Sequence, residues 1–296
     1  MIAKPVIKWA GGKYRLSTSI IEESQVFINW DSFDRYVEPF VGGGGMFLAV
    51  CSQFQFKEKV IADINPELVN LYIKIRDQHN DVFRLLVELE AEFNKLPSDE
   101  LREQFYYELR DEFNRRIVTQ DLGAEHAALF IALNKLGFNG LYRVNSSGLF
   151  NVPFGKKKRI KLVDGQNLQK VSELLQNTEI LLGDFAETLR FADDKTLFYF
   201  DSPYRPLSAT ATFTSYAKNI FDDNEQLRLA QFCRQIYHRQ AKFILSNSDP
   251  KNTQVDDEFF DELYKDYRLL RINARRAISA KNEGRANVSE ILVVGN

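Results

Sequence analysis

The 296-residue sequence contains few of the residues that build metal centres and disulfide frameworks. Its two cysteines, Cys51 and Cys233, are far apart and have no metal-binding spacing. Its three histidines, His79, His126 and His238, form no metal or catalytic-triad pattern, and we expect them at solvent-facing helix positions. The sequence therefore predicts a cytoplasmic protein with buried, reduced thiols and no metal.

Long apolar runs and a strong net charge are also missing. Since no stretch of about 18 apolar residues occurs, no membrane span is predicted. Residues 1–5 lack the apolar segment of a signal peptide, so export is not expected. The net charge of −2 does not indicate a nucleic-acid-binding protein. Any such role must depend on local basic patches.

An aromatic-rich apolar stretch at 197–200 predicts a short buried strand that ends in Asp201. Ser202 precedes Pro203 and is therefore restricted to an extended conformation. Asp201 and the aromatic ring of Tyr204 are thus expected at the carboxyl end of a strand, where open α/β sheets bind ligands. A strand followed by an ordinary turn is an equally good interpretation of this stretch alone.

Residues 36–50 read as a strand, four glycines from Gly42 and an apolar helix, the opening of a nucleotide-binding βαβ unit. The Lys-Ser/Thr pair of a phosphate-binding loop is missing, which disfavours ATP hydrolysis. A second strand at 59–62 ends in Asp63, about 20 residues after the glycines, a position suited to ribose hydroxyls. A surface carboxylate that caps the next helix is the alternative for Asp63.

Upstream, Trp9, two glycines and Lys13 form a compact loop with an aromatic face and a cation. Taken alone, this segment is better explained by a core Trp9 and a solvated Lys13.

The segment 67–136 is helical in pattern and contains no strand signal, which predicts a helical insert in an α/β domain. Ser98 is expected to cap a helix that starts at Asp99. Residues 138–155 then predict a hairpin around the turn 145–148. Its Asn139 and Arg143 are residue types that read base edges.

Two basic stretches accompany the hairpin. The first follows it directly and suits phosphate contacts, although such a run is usually a solvated loop: Lys156, Lys157, Lys158 and Arg159. The second is expected to be a mobile phosphate-contacting or merely flexible loop: Arg275, Arg276, Lys281 and Arg285.

The remaining pattern completes an α/β fold. Strands are predicted at 178–182 and 242–246, and 267–272 can pair with 290–294 as a closing antiparallel pair. A helix is predicted at 165–176 and another from Asp222 to Arg239. A polar loop at 205–216 is expected over the site.

In this order, the motifs resemble the Dam family of DNA adenine-N6 methyltransferases, above all the GATC-modifying enzymes of restriction–modification systems. The likeness covers nearly the whole chain. It is carried by these residues: Lys8-Trp9-Ala10-Gly11-Gly12-Lys13, Val37-Glu38-Pro39-Phe40-Val41-Gly42-Gly43-Gly44, Asp63-Ile64-Asn65, Phe138-Asn139-Gly140-Leu141-Tyr142-Arg143 with Phe154-Gly155, Gly183-Asp184-Phe185, and Asp201-Ser202-Pro203-Tyr204. Ser202 departs from the family, which usually has Asp-Pro-Pro-Tyr.

The resemblance implies a methyltransferase sheet of Rossmann-like form that binds S-adenosylmethionine (SAM) without a metal. It implies catalysis by Asp201, Ser202, Pro203 and Tyr204, with the target adenine flipped out of the duplex. It also implies a set of cofactor-binding residues: Trp9, Lys13, Pro39, Phe40, Gly42, Asp63, Asp184, Phe185 and Asp201.

The resemblance further implies that double-stranded DNA contacts the hairpin and the first basic stretch through Asn139, Leu141, Arg143 and 156–159. Residues 1–68 and 177–296 are expected to form the catalytic SAM-binding domain, and 69–176 a helical target-recognition domain. A cognate restriction endonuclease is a possible partner. The alternatives are a SAM-dependent methyltransferase of RNA or protein amide nitrogen, or a non-catalytic DNA-binding homologue.

Overall fold

The computed structural model describes residues 2–205, 221–274 and 288–296. The predicted loop at 205–216, apart from Arg205, and the second basic stretch lie outside the described residues. Within these ranges the helices are α1 (Ser17–Gln25), α2 (Gly45–Cys51), α3 (Pro66–Lys95), α4 (Asp99–Thr119), α5 (Ala124–Leu136), α6 (Gly165–Leu175), α7 (Asp223–His238) and α8 (Phe259–Leu263). The strands are β1 (Arg35–Glu38), β2 (Glu58–Asp63), β3 (Thr178–Leu182), β4 (Thr196–Phe200), β5 (Lys242–Ser248), β6 (Arg268–Ala274) and β7 (Val288–Gly295).

The strands form one sheet in the order β3-β2-β1-β4-β5-β7-β6. The first five strands are parallel, while β7 runs antiparallel between β5 and β6. The predicted α/β class and the closing antiparallel pair are therefore confirmed. Because the chain order reverses between β1 and β4, the carboxyl ends of these two strands border the crevice where open α/β sheets bind ligands.

The central strand β4 is buried along its whole length. Successive side chains of a strand point to opposite faces of the sheet. Accordingly, Leu197 and Tyr199 lie in the core shared with the helical insert, whereas Phe198 and Phe200 lie in the core on the opposite face, which α7 covers. Burial on both faces explains why this stretch reads as a continuous apolar run.

Helix α3 carries the chain from the sheet into the helical insert. Asn65 caps it by accepting backbone hydrogen bonds through Oδ1, and Pro66 occupies its first turn. The helix continues without a break across the predicted domain boundary at 68/69, with one non-helical residue at Gln78. It packs against α5 and α6. The predicted cap of α4 is confirmed, since Ser98 Oγ accepts from the Leu101 amide.

The prediction for the histidines is wrong for His126. Its ring is fully buried, stacks on Phe113 at 4.3 Å between ring centroids and pairs with the buried carboxylate of Glu67. His238 is exposed as predicted. No helix of the described ranges is long and apolar enough to cross a bilayer.

Candidate active site

Asp201 directly follows β4, at the reversal of strand order. Its carboxylate Oδ1 accepts a hydrogen bond of 2.6 Å from Nζ of Lys13. Lys13 begins a short 3-10 turn near the amino terminus, and its side chain is only 3% exposed. The interpretation of Lys13 as a solvated residue is therefore wrong, because the ammonium group is buried against the carboxylate at the strand end.

The Lys13 ammonium group brings two further side chains to the same point. Nζ donates to the Tyr204 hydroxyl at 2.9 Å and lies 3.6 Å from Oε2 of Glu290. The Tyr204 hydroxyl in turn donates to Oε1 of Glu290 at 3.0 Å. Glu290 lies on β7, so residues from the amino-terminal loop, β4 and the last strand meet in one cluster of Lys13, Asp201, Tyr204 and Glu290.

Burial and charge shift the pKa values of this cluster. Burial raises the pKa of Asp201 to about 6, Lys13 opposes the rise and Glu290 adds to it. Burial alone would lower the pKa of Lys13, but Asp201, Glu290 and Tyr204 together raise it. Burial also raises the pKa of Tyr204 to about 12. Near pH 7 the cluster therefore presents an ammonium ion, an Asp201 carboxylate and a neutral phenol.

Two buried side-chain amides hold the residues between Asp201 and Tyr204. Asn247 Nδ2 donates to Ser202 Oγ at 3.1 Å, and Gln226 Nε2 donates to the Pro203 carbonyl at 3.0 Å. Asn247, Gln226 and Ser202 are all buried. The Tyr204 ring, by contrast, is 40% exposed beside this anchored segment.

The glycine-rich turn after β1 packs directly against Trp9. Gly42 and Gly44 have φ angles of +46° and +71°, which side-chain-bearing residues rarely adopt. A Cβ atom on Gly42 would lie 2.9 Å from the Trp9 ring. The close contact brings backbone and aromatic face together beside the carboxyl end of β1.

Asp63, the last residue of β2, faces this turn. Its Oδ2 accepts from the Gly42 amide at 3.0 Å and its Oδ1 from the Asn65 amide at 2.9 Å. Burial raises the pKa of Asp63, while these backbone amides oppose the rise. Helix α3 is capped by Asn65, so Asp63 serves the glycine turn instead of the helix cap proposed as its alternative.

Asp184 follows β3 and forms a bidentate ion pair with Arg228 of α7, with both N–O distances at 2.7 Å. This pairing lowers the pKa of Asp184. The Arg228 guanidinium also lies 4.0 Å from the centre of the Phe185 ring, which is buried in the core and contacts Phe40. Pro39 is buried directly before Phe40. The predicted pair Asp184-Phe185 therefore packs against Phe40, which follows β1, and Arg228 is an unpredicted partner.

The predicted hairpin is extended, with isolated bridges instead of regular strands. Phe138 and Leu141 are 51% and 41% exposed and lie three residues apart at its base. Asn139 is exposed beside them. Arg143 is held along the hairpin because its Nε and Nη2 donate to Oδ1 and the carbonyl of Asn151 at 2.8 and 3.1 Å.

Tyr142 connects this hairpin with the Trp9 loop. Its ring stacks on Trp9 at 5.5 Å between centroids and makes edge contact with Phe130 of α5. Phe150, on the returning arm of the hairpin, packs on the same ring. The hairpin is thus attached to the loop that carries Lys13.

The first basic stretch follows the hairpin as a surface segment. Three of its side chains are exposed and Lys157 is half-buried: Lys156, Lys158 and Arg159. The surface placement is compatible with phosphate contacts and with an ordinary solvated loop alike.

The structure brings together Lys13, Asp201 and Tyr204 as one cluster, and it adds residues that carried no sequence motif: Glu290, Gln226, Asn247 and Arg228. Gln226 gives the one usable signal, a polar residue on the buried face of a predicted helix. Among the residues that the structure describes, no group of three or more His, Cys, Asp or Glu side chains is placed to hold a metal ion.

Known proteins are similar in sequence to this chain along almost its full length. The chain is 41% identical to the type II methyltransferase M.MjaIII of Methanocaldococcus jannaschii, covering 99% of both chains. It is 34% identical to the type II methyltransferase M1.LlaDCHI of Lactococcus lactis, covering 98% of this chain and 94% of that one. It is also 34% identical to the DNA adenine methylase of Escherichia coli K12, covering 97% and 94%.

A family described as D12 class N6 adenine-specific DNA methyltransferase matches residues 9–278. That range includes the Trp9 loop, the glycine-rich turn, the hairpin and the strand end at Asp201. The chain therefore belongs to the D12 class of N6 adenine-specific DNA methyltransferases.

Proposed function

We propose that this adenine-N6 DNA methyltransferase takes its methyl group from SAM and modifies the adenine of GATC in duplex DNA, with Asp201 acting on the reacting amine. The observation that carries this proposal is the Asp201 carboxylate at the end of β4, fixed by the buried ammonium group of Lys13. An ionised carboxylate at the sheet's reversal point is placed to accept hydrogen bonds from an amine in the crevice.

The residues around the crevice fit the cofactor. A carboxylate offers about four acceptor positions. Asp63 accepts backbone amides on both oxygens, and its remaining acceptor capacity would be used by ribose hydroxyls. The Asp184 carboxylate, held by Arg228 and by backbone amides of the following turn, would bind the adenine amino group by giving up or sharing one of these donors.

Trp9, Lys13 and the turn at Gly42 form the remaining wall of the proposed cofactor site, with Pro39 and Phe40 behind them. When bound, SAM supplies an electrophilic methyl group on a sulfonium. Lys13 belongs both to this proposed wall and to the cluster with Asp201, Tyr204 and Glu290, which supports a shared reaction space for the carboxylate and the cofactor.

The target adenine is stacked inside the duplex and must be flipped out before its amine can reach Asp201. The exposed Tyr204 ring offers a stacking face for the flipped base. Asp201 and the Ser202 carbonyl would accept the two N6–H bonds, which aims the nitrogen lone pair at the methyl group. N6 would then attack with its lone pair and gain the methyl carbon, the pair of the broken C–S bond would stay with sulfur, and one N6 proton would be lost towards Asp201. Holding the reactants in line supplies much of the rate.

Recognition of the DNA site is proposed to depend on the hairpin. Arg143 presents a guanidinium that suits bidentate reading of a guanine, and Asn139 suits base edges. Leu141 and Phe138 are exposed apolar side chains that can fill the stack left by the flipped base. Lys156 to Arg159 would contact phosphates. The type II names of two relatives support a restriction–modification role with a cognate endonuclease.

The experiment is methylation of a plasmid with the purified protein and SAM, followed by digestion with endonucleases that differ in their sensitivity to GATC methylation. We expect protection from the enzyme blocked by N6-methyladenine and cleavage by the one that requires it. Mass spectrometry of nucleosides identifies the product. Methylated adenine outside GATC would contradict the site, and transfer of labelled methyl only to RNA or protein would contradict the substrate.

A further inference from the structure

Ser202 occupies the position in the Asp201–Tyr204 segment that proline usually fills in this family. Proline fixes its own φ angle near −65°, whereas serine leaves that rotation free. The carbonyl of residue 202 is the proposed second acceptor for the adenine amine. Pro203 already restricts residue 202 to extended backbone, but a serine there still has a wider range of φ than a proline, and that range would let the direction of the carbonyl vary.

Asn247 lies opposite Ser202 because of the strand register. Phe200 of β4 pairs with Leu245 of β5, and two residues further along each chain come Ser202 and Asn247. The Asn247 amide donates through Nδ2 to Ser202 Oγ at 3.1 Å. Both side chains are buried, at 2% exposure for Ser202 and 0% for Asn247, so water does not compete for this bond.

The orientation of the Asn247 amide is itself fixed. Its Oδ1 accepts from the Ser248 backbone amide at 2.8 Å and from Ser248 Oγ at 3.4 Å. Because Oδ1 is committed to these donors, Nδ2 is the atom that faces Ser202. Asn247 can therefore hold the Ser202 side chain in one rotamer. Because the fixed Oγ is joined to the backbone through Cβ and Cα, this bond also limits the orientation of the Ser202 backbone.

We propose that Asn247 is a positioning residue which holds Ser202 through its hydroxyl and so replaces the constraint that a proline ring would supply. The proposal rests on the proposed function in one respect, the use of the Ser202 carbonyl by the substrate amine. It predicts that Asn247 matters while residue 202 is serine and loses most of its importance when residue 202 is proline.

Gln226 provides a matched control. It holds the next residue of the same segment, through the Pro203 carbonyl at 3.0 Å, and it is equally buried. Since this bond is made to a backbone carbonyl, it does not depend on the side chain at position 202. A Gln226→Ala substitution should therefore have the same effect whether residue 202 is serine or proline.

The test is a double-mutant cycle with Asn247→Ala, Ser202→Pro and the double variant, measured beside Gln226→Ala in both backgrounds. The readouts are the single-turnover methylation rate, the dissociation constant for SAM and the midpoint of urea unfolding. With Ser202 present, we expect Asn247→Ala to lower the rate about tenfold, the effect typical of losing one buried hydrogen bond, and to leave SAM affinity unchanged. In the Ser202→Pro background we expect Asn247→Ala to lower the rate by less than about threefold.

Equal losses for Asn247→Ala in both backgrounds would overturn the proposal, since Asn247 would then act independently of Ser202. Coupling in the urea midpoints is measured without DNA or SAM and gives a separate answer. The urea midpoints are coupled if the effect of Asn247→Ala on the midpoint depends on the residue at position 202. If they were coupled but the unmodified protein failed to methylate DNA, the proposed function would be refuted while the anchoring of Ser202 would be supported. Uncoupled midpoints together with uncoupled rates would refute the anchoring itself.

Discussion

The charge of Asp201 depends on neighbours that act in opposite directions. Burial and Glu290 favour the protonated acid, whereas Lys13 favours the carboxylate, and the resulting pKa is about 6. Only the carboxylate can accept both an amine hydrogen bond and, later, a proton from the amine. The fraction of active enzyme should therefore change within the pH range of an ordinary assay.

The first prediction concerns this pH dependence. The single-turnover methylation rate should rise as the pH increases through about 6, because Asp201 loses its proton there. Lys13→Met removes the cation that lowers the pKa of Asp201, so the rise should move to higher pH. Rates measured from pH 5 to 9 in stopped reactions test both statements.

Lys57→Met serves as the control, because Lys57 is an exposed residue paired with Asp34. Its pH profile should match that of the unmodified protein. An unchanged profile in Lys13→Met would show that Lys13 does not set the charge of Asp201.

The second prediction concerns Arg143. Its two hydrogen bonds to Asn151 stay within the hairpin, so Arg143→Ala should leave SAM binding unchanged. Loss of a bidentate base contact costs about 1–3 kcal/mol of discrimination between sites. We expect methylation of GATC and of single-substituted sites to become more similar, measured as a ratio of kcat/KM values.

Arg84→Ala is a suitable comparison, since Arg84 is an exposed arginine whose hydrogen bond is made to Glu88 on the same helix. It should preserve the ratio between cognate and substituted sites. If Arg143→Ala preserved that ratio as well, Arg143 would have no part in reading the sequence.

At the scale of elements, the glycine-rich turn and the Trp9 loop are built as one packed unit. A Cβ atom on Gly43 would lie 2.7 Å from Cβ of Trp9, well inside van der Waals contact. The third prediction follows from this distance. Gly43→Ala should displace the Trp9 loop, reduce the free energy of unfolding by about 1–3 kcal/mol and weaken SAM binding.

Gly123→Ala provides the comparison, because the nearest atom to a Cβ there is 3.8 Å away. Urea unfolding and isothermal titration with SAM should both be close to those of the unmodified protein. A Gly43→Ala protein with normal stability and normal SAM affinity would show that the turn and the Trp9 loop are not packed as described.

The strands around the site could be predicted from the local sequence pattern. The residues that hydrogen-bond to the site residues from distant segments could not. The predicted strand at 197–200 differs from β4 by one residue, because a buried parallel strand produces a continuous apolar run. Asn247, Gln226 and Glu290 reach the site through sheet register and helix packing, with 45, 23 and 86 residues separating them from the partners they bond. The spacing of apolar and polar residues within one helix or strand gives no information about contacts between such distant segments.

At the scale of the whole molecule, the helical insert and the sheet share one hydrophobic core. Helix α3 begins beside Asp63 and continues into the insert, and the Tyr142 ring packs between Trp9 and Phe130. The predicted division at 68/69 remains a prediction about domains. The shared core means that hairpin and crevice are fixed relative to one another.

His126 shows the limit of reading single residues from a sequence. A histidine in a helix is usually placed at the surface, but this one pairs with Glu67 and stacks on Phe113 inside the shared core. Its acidic partner, Glu67, lies 59 residues earlier in the sequence, in the first turn of α3. Only the packing of α3 against α5 brings the two together.

The role of Asp201 is tested most directly by single-turnover transfer of labelled methyl from SAM to a GATC duplex, with the unmodified protein and with Asp201→Asn. The substitution preserves shape but removes the carboxylate charge that pairs with Lys13. We expect N6-methyladenine from the unmodified protein and a rate at least about 100-fold lower from the variant. A variant rate within a few-fold of the unmodified protein would contradict the role of Asp201.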